Sequence, residues 1–272
     1  MKLAVDAGGA LRDAYAYTGG KAFDAGQPCV VLLHGALHDH SSWTLAARWF
    51  AHHGHAVLAP DLPGHGRSAG APLASVEALA DWLLALLDAA GVASASFVGH
   101  SMGSLVALEA AARAPDRARH LVLVGTAYPM KVSQALLDAA RDDAYGAIDN
   151  VLMYSHATFA AKPSYPGPGA WLHGSDRALM RRTHDGQRET NLFLNDFQAC
   201  DRYAGAIDAA ARVTCPATLV VGARDQMTFA SQAADLARAL RAQTVTLPCG
   251  HALMSEAPDA VLAALRGAIV GA

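Results

Sequence analysis

Between the apolar run Ala95-Ser96-Phe97-Val98 and the helix-forming run Ser104 to Arg113 stands the pentapeptide Gly99-His100-Ser101-Met102-Gly103, a G-x-S-x-G pattern. A strand, a sharp turn and a helix in that order constrain the fold more than any other stretch of the chain. A serine at the apex of so tight a turn sits in a strained backbone conformation, and such strain collects at functional sites. The residues two before and two after it crowd the turn, where glycine fits because it has no Cβ. The hydroxyl then stands clear of the sheet. The amide of Met102 falls at a helix N-terminus, where its N–H lacks a helical acceptor. Short motifs also arise by chance, here in a chain with 24 glycines among 272 residues, so the pattern needs partners.

Two later turns supply them. Asp225 follows the run Ala217-Thr218-Leu219-Val220-Val221, and His251 follows Thr244-Val245-Thr246-Leu247. Each of the three residues lies just past the C-terminal end of an apolar strand, the edge at which open α/β sheets build their sites. A serine hydroxyl is a weak nucleophile and needs a neighbouring base. His251 is suited to take its proton and return it to a leaving group, and Asp225 to fix the imidazole tautomer. Taken singly, Asp225 also reads as the cap of a helix from Gln226 to Leu240, and His251 is one of 13 histidines. It is their joint occurrence, in the order Ser, Asp, His, that points to chemistry.

With these stations in place the chain resembles the α/β-hydrolase family, whose triad runs in that order. The resemblance extends through most of the sequence. Val30-Val31-Leu32-Leu33-His34-Gly35, with Trp43 beyond it, is similar to the family's strand ending in His-Gly. Asp61-Leu62-Pro63-Gly64-His65-Gly66-Arg67-Ser68 resembles its D-x-P-G-x-G-x-S loop. Gly250-His251 with Met254, Glu256 and Pro258 resembles its C-terminal histidine motif. The resemblance implies that the amides of Ala36 and Met102 form an oxyanion hole, with Leu37 ranking behind Ala36. A preorganised donor of this kind is worth roughly 3–4 kcal/mol in the transition state. Two departures stand out: Ser104 replaces a common third glycine, and the loop after Asp225 lacks a frequent proline.

Hydrophobic patterning predicts strands near Lys2–Val5, Ala14–Tyr17, Cys29–Leu33, Ala56–Ala59, Ala95–Val98, His120–Val124, Ala217–Val221 and Thr244–Leu247. The middle ones are continuous apolar runs, as in a parallel sheet covered on both faces. Helices are predicted at Thr44–His52, Ser75–Ala90, Met102–Ala114, Ala230–Arg241 and Asp259–Val270. Strand–helix alternation implies an α/β, doubly wound, mostly parallel eight-stranded sheet.

Between Tyr128 and Arg212 the alternation stops, and helical patterning runs on, punctuated by Pro163, Pro166 and Pro168 with Gly167 and Gly169. In the family a cap is inserted at this point. The resemblance therefore implies a core of residues 1–128 and 213–272 and a helical cap of residues 129–212. The insertion's large apolar residues include Tyr154, Phe159, Leu172 and Met180. Met153, Trp171, Phe193 and Phe197, together with Leu37, are the candidate walls of a substrate pocket, since ligand sites are mostly apolar. For Arg177, Arg181, Arg182 and Arg188 a solvated helix face is the preferred reading, with contact to a substrate carboxylate as the alternative.

The net charge of −3 points to neither nucleic acid nor an anionic membrane. No apolar run reaches membrane-spanning length. Met1-Lys2-Leu3-Ala4-Val5-Asp6 meets an acid too early for a signal peptide. Cys29, Cys200, Cys215 and Cys249 lack paired spacing and read as reduced thiols, so a cytoplasmic location is expected. His34, His38, Asp39 and His40 lie close together, but their order does not match the H-x-H-x-D-H of metallo-β-lactamase-type lactonases. No metal and no cofactor are expected.

The expectation is a serine hydrolase acting on a small carboxylic ester or related acyl compound through an acyl-enzyme. A lactonase, for example on acyl-homoserine lactones, uses the same machinery. Perhydrolysis and carbon–carbon bond hydrolysis stay open, because fold and triad do not name a substrate. A small-molecule receptor on the same scaffold is the alternative of another class.

Overall fold

The computed structural model describes residues 1–6, 9–157 and 171–271; Phe159 and the prolines and glycines of the 163–169 stretch lie outside them. Eight strands form one sheet: β1 (Lys2–Asp6), β2 (Leu11–Tyr17), β3 (Cys29–Leu33), β4 (Ala56–Pro60), β5 (Ala95–His100), β6 (Ala118–Val124), β7 (Ala217–Gly222) and β8 (Gln243–Leu247). Their spatial order is β1-β2-β4-β3-β5-β6-β7-β8. β1 and β2 pair antiparallel, as do β2 and β4, and the remaining pairs are parallel. Strand positions agree with the hydrophobic patterning to within one to three residues at each end.

Alternation along buried strands explains their continuous apolar runs. Val31, Leu33, Phe97, Leu121 and Leu219 face one layer, built on α2 (Val76–Ala89), α3 (Met102–Arg113) and α9 (Ala234–Leu240). Val30, Leu32, Val98, Val122 and Val220 face the other, built on α1 (Thr44–His52) and α11 (Pro258–Ile269). A strand covered on both faces has no side left for polar residues.

Among the described residues five helices follow β6 before the chain returns to β7: α4 (Gln134–Asp142), α5 (Ala144–Ser155), α6 (Leu172–Gly186), α7 (Leu192–Arg202) and α8 (Ala206–Arg212). Ser133, Asp143 and Asn191 cap α4, α5 and α7 through their side chains. Helices α4 to α7 share an apolar cluster that includes Leu137, Ile148, Leu152, Met180 and Phe193, and Leu37 of the β3–α1 loop inserts into it. α8 differs: Ala206, Ala209 and Ala210 pack into the sheet's own layer, against α3 and α9. Among the described residues no helix is long and apolar enough to cross a membrane.

The helix that Asp225 would cap does not start at Gln226. Residues 226–229 form a turn, followed by a short 3-10 segment (Ala230–Ala233) and then α9. The cause is Asp225, whose Oδ1 accepts the N–H groups of Met227 and Thr228, both at 2.8 Å. An aspartate that binds the backbone two and three residues on favours a turn over a continuing helix.

Candidate active site

Ser101 occupies the joint between β5 and α3 with φ 51° and ψ −120°, a conformation that side chains rarely adopt. Close packing holds it there. A Cβ on Gly103 would lie 2.5 Å from the His34 carbonyl oxygen, and one on Gly99 would lie 2.6 Å from the Ser104 nitrogen. The Ser101 N–H donates to the Val124 carbonyl at 2.9 Å. Ser104, at the position where many relatives carry glycine, has its hydroxyl 2.5 Å from the Ser101 carbonyl and 2.8 Å from Thr126 Oγ1. A carbonyl can only accept, so Ser104 donates to it and accepts from Thr126. That departure from the pattern braces the elbow from behind.

Asp225 sits at the end of β7 and His251 in the loop after β8. His251 Nδ1 lies 2.8 Å from Asp225 Oδ2, and Thr228 Oγ1 lies 2.7 Å from the same oxygen. Burial alone would raise the Asp225 carboxyl. The His251 imidazole and the hydrogen bonds from Thr228 outweigh it and hold the group down at about 2. A permanent carboxylate at Nδ1 favours the tautomer with its proton on Nδ1, which leaves Nε2 free to accept one. The histidine loop is pinned around this residue. Gly250 N–H donates to Glu256 Oε2 at 2.5 Å, Ala252 N–H to the Ser155 carbonyl of α5 at 2.9 Å, and His100 Nε2 to the His251 carbonyl at 2.9 Å. Burial keeps His100 neutral, its pKa falling to about 3, so it serves as a plain donor.

Ser101, His251, Thr228, Gly35 and Ala36 line one cavity of about 70 Å³. Its apolar walls are Met130, Val151, Met180, Phe197 and Met227. A larger cavity of about 330 Å³ shares His38, His100, Ser155 and His251 with it. Among the described residues Ser101 Oγ has no hydrogen bond. Catalytic hydrogen bonds are often long before substrate binds.

Five residues were expected to wall the pocket, and the chamber at Ser101 uses one of them, Phe197. Met153 and Trp171 are surface residues, each more than half exposed. Leu37 and Phe193 are wholly buried inside the cluster of α4 to α7, where Phe193 stacks on Phe197. Periodicity marks apolar faces but not which face meets a cavity. Met227 and Thr228 escaped notice because they follow Asp225 in what read as a helix; only the turn exposes them to the chamber. Three of the four arginines singled out in the insertion pair with carboxylates: Arg177 and Arg181 with Asp149, and Arg182 with Asp39 of the β3–α1 loop.

Asp39, His40 and Asp61 place one ligand-type atom each within 4.8 Å of one another. Their oxygens already hold the loop together. Asp61 Oδ1 lies 2.7 Å from both the His40 N and Nδ1, Asp61 Oδ2 accepts the Arg67 N–H, and Asp39 Oδ1 accepts the Ser41 N–H. A bridging role within the loop accounts for the cluster.

A family model described as "Alpha/beta hydrolase family" matches residues 30–264. The pimeloyl-[acyl-carrier protein] methyl ester esterase of Chromobacterium violaceum is 32% identical over 248 residues, which cover 86% of this chain and 84% of that protein. An esterase of Mycobacterium tuberculosis is 29% identical over 261 residues, covering 89% and 83%. In three dimensions the chain is similar to the enol-lactonase from Burkholderia xenovorans LB400, with a TM-score of 0.79 and 24% identity over 99% of this chain and 100% of that one. That likeness concerns the fold.

Proposed function

The chain belongs to the alpha/beta hydrolase family, and we propose that it is a serine hydrolase that cleaves small carboxylic esters through an acyl-enzyme. The observation that carries this reading is His251, 2.8 Å from buried Asp225 and on the same small cavity as a strained Ser101. The esterases similar to it over most of their length support the substrate class.

Ser101 Oγ attacks the ester carbonyl as its proton passes to His251 Nε2. The carbonyl oxygen becomes an oxyanion, held by the N–H groups of Ala36 and Met102. The C–O bond to the alcohol breaks, and the alcohol leaves with the proton from His251. Water then gives a proton to His251 as its oxygen attacks the acyl-enzyme carbonyl; the acyl C–Oγ bond breaks, His251 returns the proton to Ser101 Oγ, and the acid leaves. Helices α4 to α7 act as a cap over this chamber. The chamber holds about 70 Å³ where one water needs roughly 10–15 Å³, so the chamber suits an acyl group of a few carbons.

The test combines a fluorophosphonate with p-nitrophenyl butyrate. Intact mass and peptide mapping should place one adduct on Ser101, with loss of ester turnover in step with labelling. Full labelling elsewhere, or turnover that survives the adduct, overturns the assignment.

A further inference from the structure

The β3–α1 loop is held in place by the helices that follow β6. Asp196 of α7 accepts the Leu37 N–H at 3.0 Å through Oδ2, and the same oxygen lies 2.8 Å from His65 Nε2. Leu37 itself adopts φ 58°, a left-handed conformation uncommon for a residue with a side chain. The other end of the same peptide unit is held as well. The Ala36 carbonyl is 2.7 Å from His38 Nδ1, and His38 Nε2 is 2.8 Å from Asp176 of α6. The preceding peptide is anchored from the core. The Gly35 carbonyl is 2.8 Å from His34 Nδ1, while His34 Nε2 accepts the Leu62 N–H at 3.0 Å. Among the described residues the Ala36 N–H has no protein acceptor, and Ala36 lines the Ser101 cavity.

We infer that Asp196, with His38 and Asp176, positions the oxyanion hole: two carboxylates of the inserted helices fix the 36–37 peptide, His34 holds the 35–36 peptide that carries the Ala36 N–H, and Ala36 is thereby clamped from both sides. The inference rests on Ala36 being an oxyanion donor. Asp196, His65 and Leu37 are almost wholly buried, so water cannot stand in for a lost partner. Asp196 lines neither cavity and acts through the peptide as a positioning residue, whereas His38 also lines the Ser101 chamber. The consequence is that the inserted helices contribute to the chemical step as well as to binding.

The experiment measures Asp196→Ala, Asp196→Asn and His38→Asn per active site titrated with a fluorophosphonate. The substrate is p-nitrophenyl butyrate, and the transition-state probe is an alkyl trifluoromethyl ketone, whose hemiketal with Ser101 carries an oxyanion. Misplacing a catalytic donor by about 1 Å costs roughly 100-fold. Asp196→Ala should lower kcat roughly 10- to 100-fold, raise the ketone's Ki by the same factor, and leave KM within about twofold. Asp196→Asn keeps an acceptor for Leu37 and should recover part of both losses. His38→Asn, which leaves the Asp196 contact intact, should shift kcat and Ki in the same direction, and keeps the test open if Asp196→Ala does not fold. Unchanged kcat and Ki per titrated site, or a rise in KM alone, would overturn the inference. A parent enzyme that neither the ketone nor the fluorophosphonate inhibits fails at the earlier step, the serine-hydrolase reading itself.

Discussion

Asp225 Oδ2 and His251 Nδ1 lie 2.8 Å apart with both side chains buried. The carboxylate accepts from Met227, Thr228 and His251 together. Replacing Asp225 with Asn keeps the shape but offers His251 the wrong partner. Turnover of p-nitrophenyl butyrate should fall roughly 10⁴-fold. A loss under tenfold would mean that another group orients the imidazole. Thr228→Val removes one of the four protein donors and should cost far less.

Ser101→Ala should remove nearly all turnover, on the order of a millionfold if the residues act as a unit. Fluorophosphonate labelling should vanish with it, and circular dichroism should match the parent. Residual turnover near the parent rate assigns the nucleophile elsewhere.

Gly103→Ala tests the elbow's packing. The added methyl would meet the backbone oxygens of His34 and Leu33 at 2.5 and 2.6 Å, and neither can swing aside. Overpacking of this kind costs roughly 1–3 kcal/mol, or about 2–12 °C in melting temperature for a chain of this size. An unchanged melting curve would show that the turn yields more easily than its contacts imply.

His38 carries a pH dependence. Burial lowers its pKa, but the Asp176 carboxylate outweighs that and raises it to about 9. A raised folded-state value stabilises the protein most below the unfolded value of roughly 6.5, and that contribution fades as pH rises through the folded value. The melting-temperature gap between the parent and His38→Asn should therefore be widest below about pH 6.5 and should shrink toward pH 9 and above. A gap that widens with pH contradicts an imidazolium at this position.

Chain-length preference follows from the chamber of about 70 Å³. The kcat/KM of p-nitrophenyl esters should peak at acetate to butyrate and fall steeply by decanoate. Met180→Ala should shift the peak to longer chains, because Met180 lines the chamber.

Much of this was legible in the sequence. The elbow announced itself because strand, glycine, serine and glycine are local requirements, met within five residues. Strand positions were equally plain: burial on both faces writes itself as unbroken apolar runs such as Cys29–Leu33. The pocket walls were not legible. Met153 and Phe197 look alike in a helical pattern, yet one faces water and the other the chamber.

What the sequence determined by itself was short-range: which segments are strands, where the turn must be glycine, and which three residues end their strands at one edge of the sheet. Only the tertiary structure decided that Asp196, 159 residues from Leu37, holds its amide, and that Asp176 secures His38 from 138 residues away. The difference is physical. Periodicity and steric need act between neighbours in the chain, whereas a buried carboxylate finds its donor through the packing of whole helices, which no local pattern encodes.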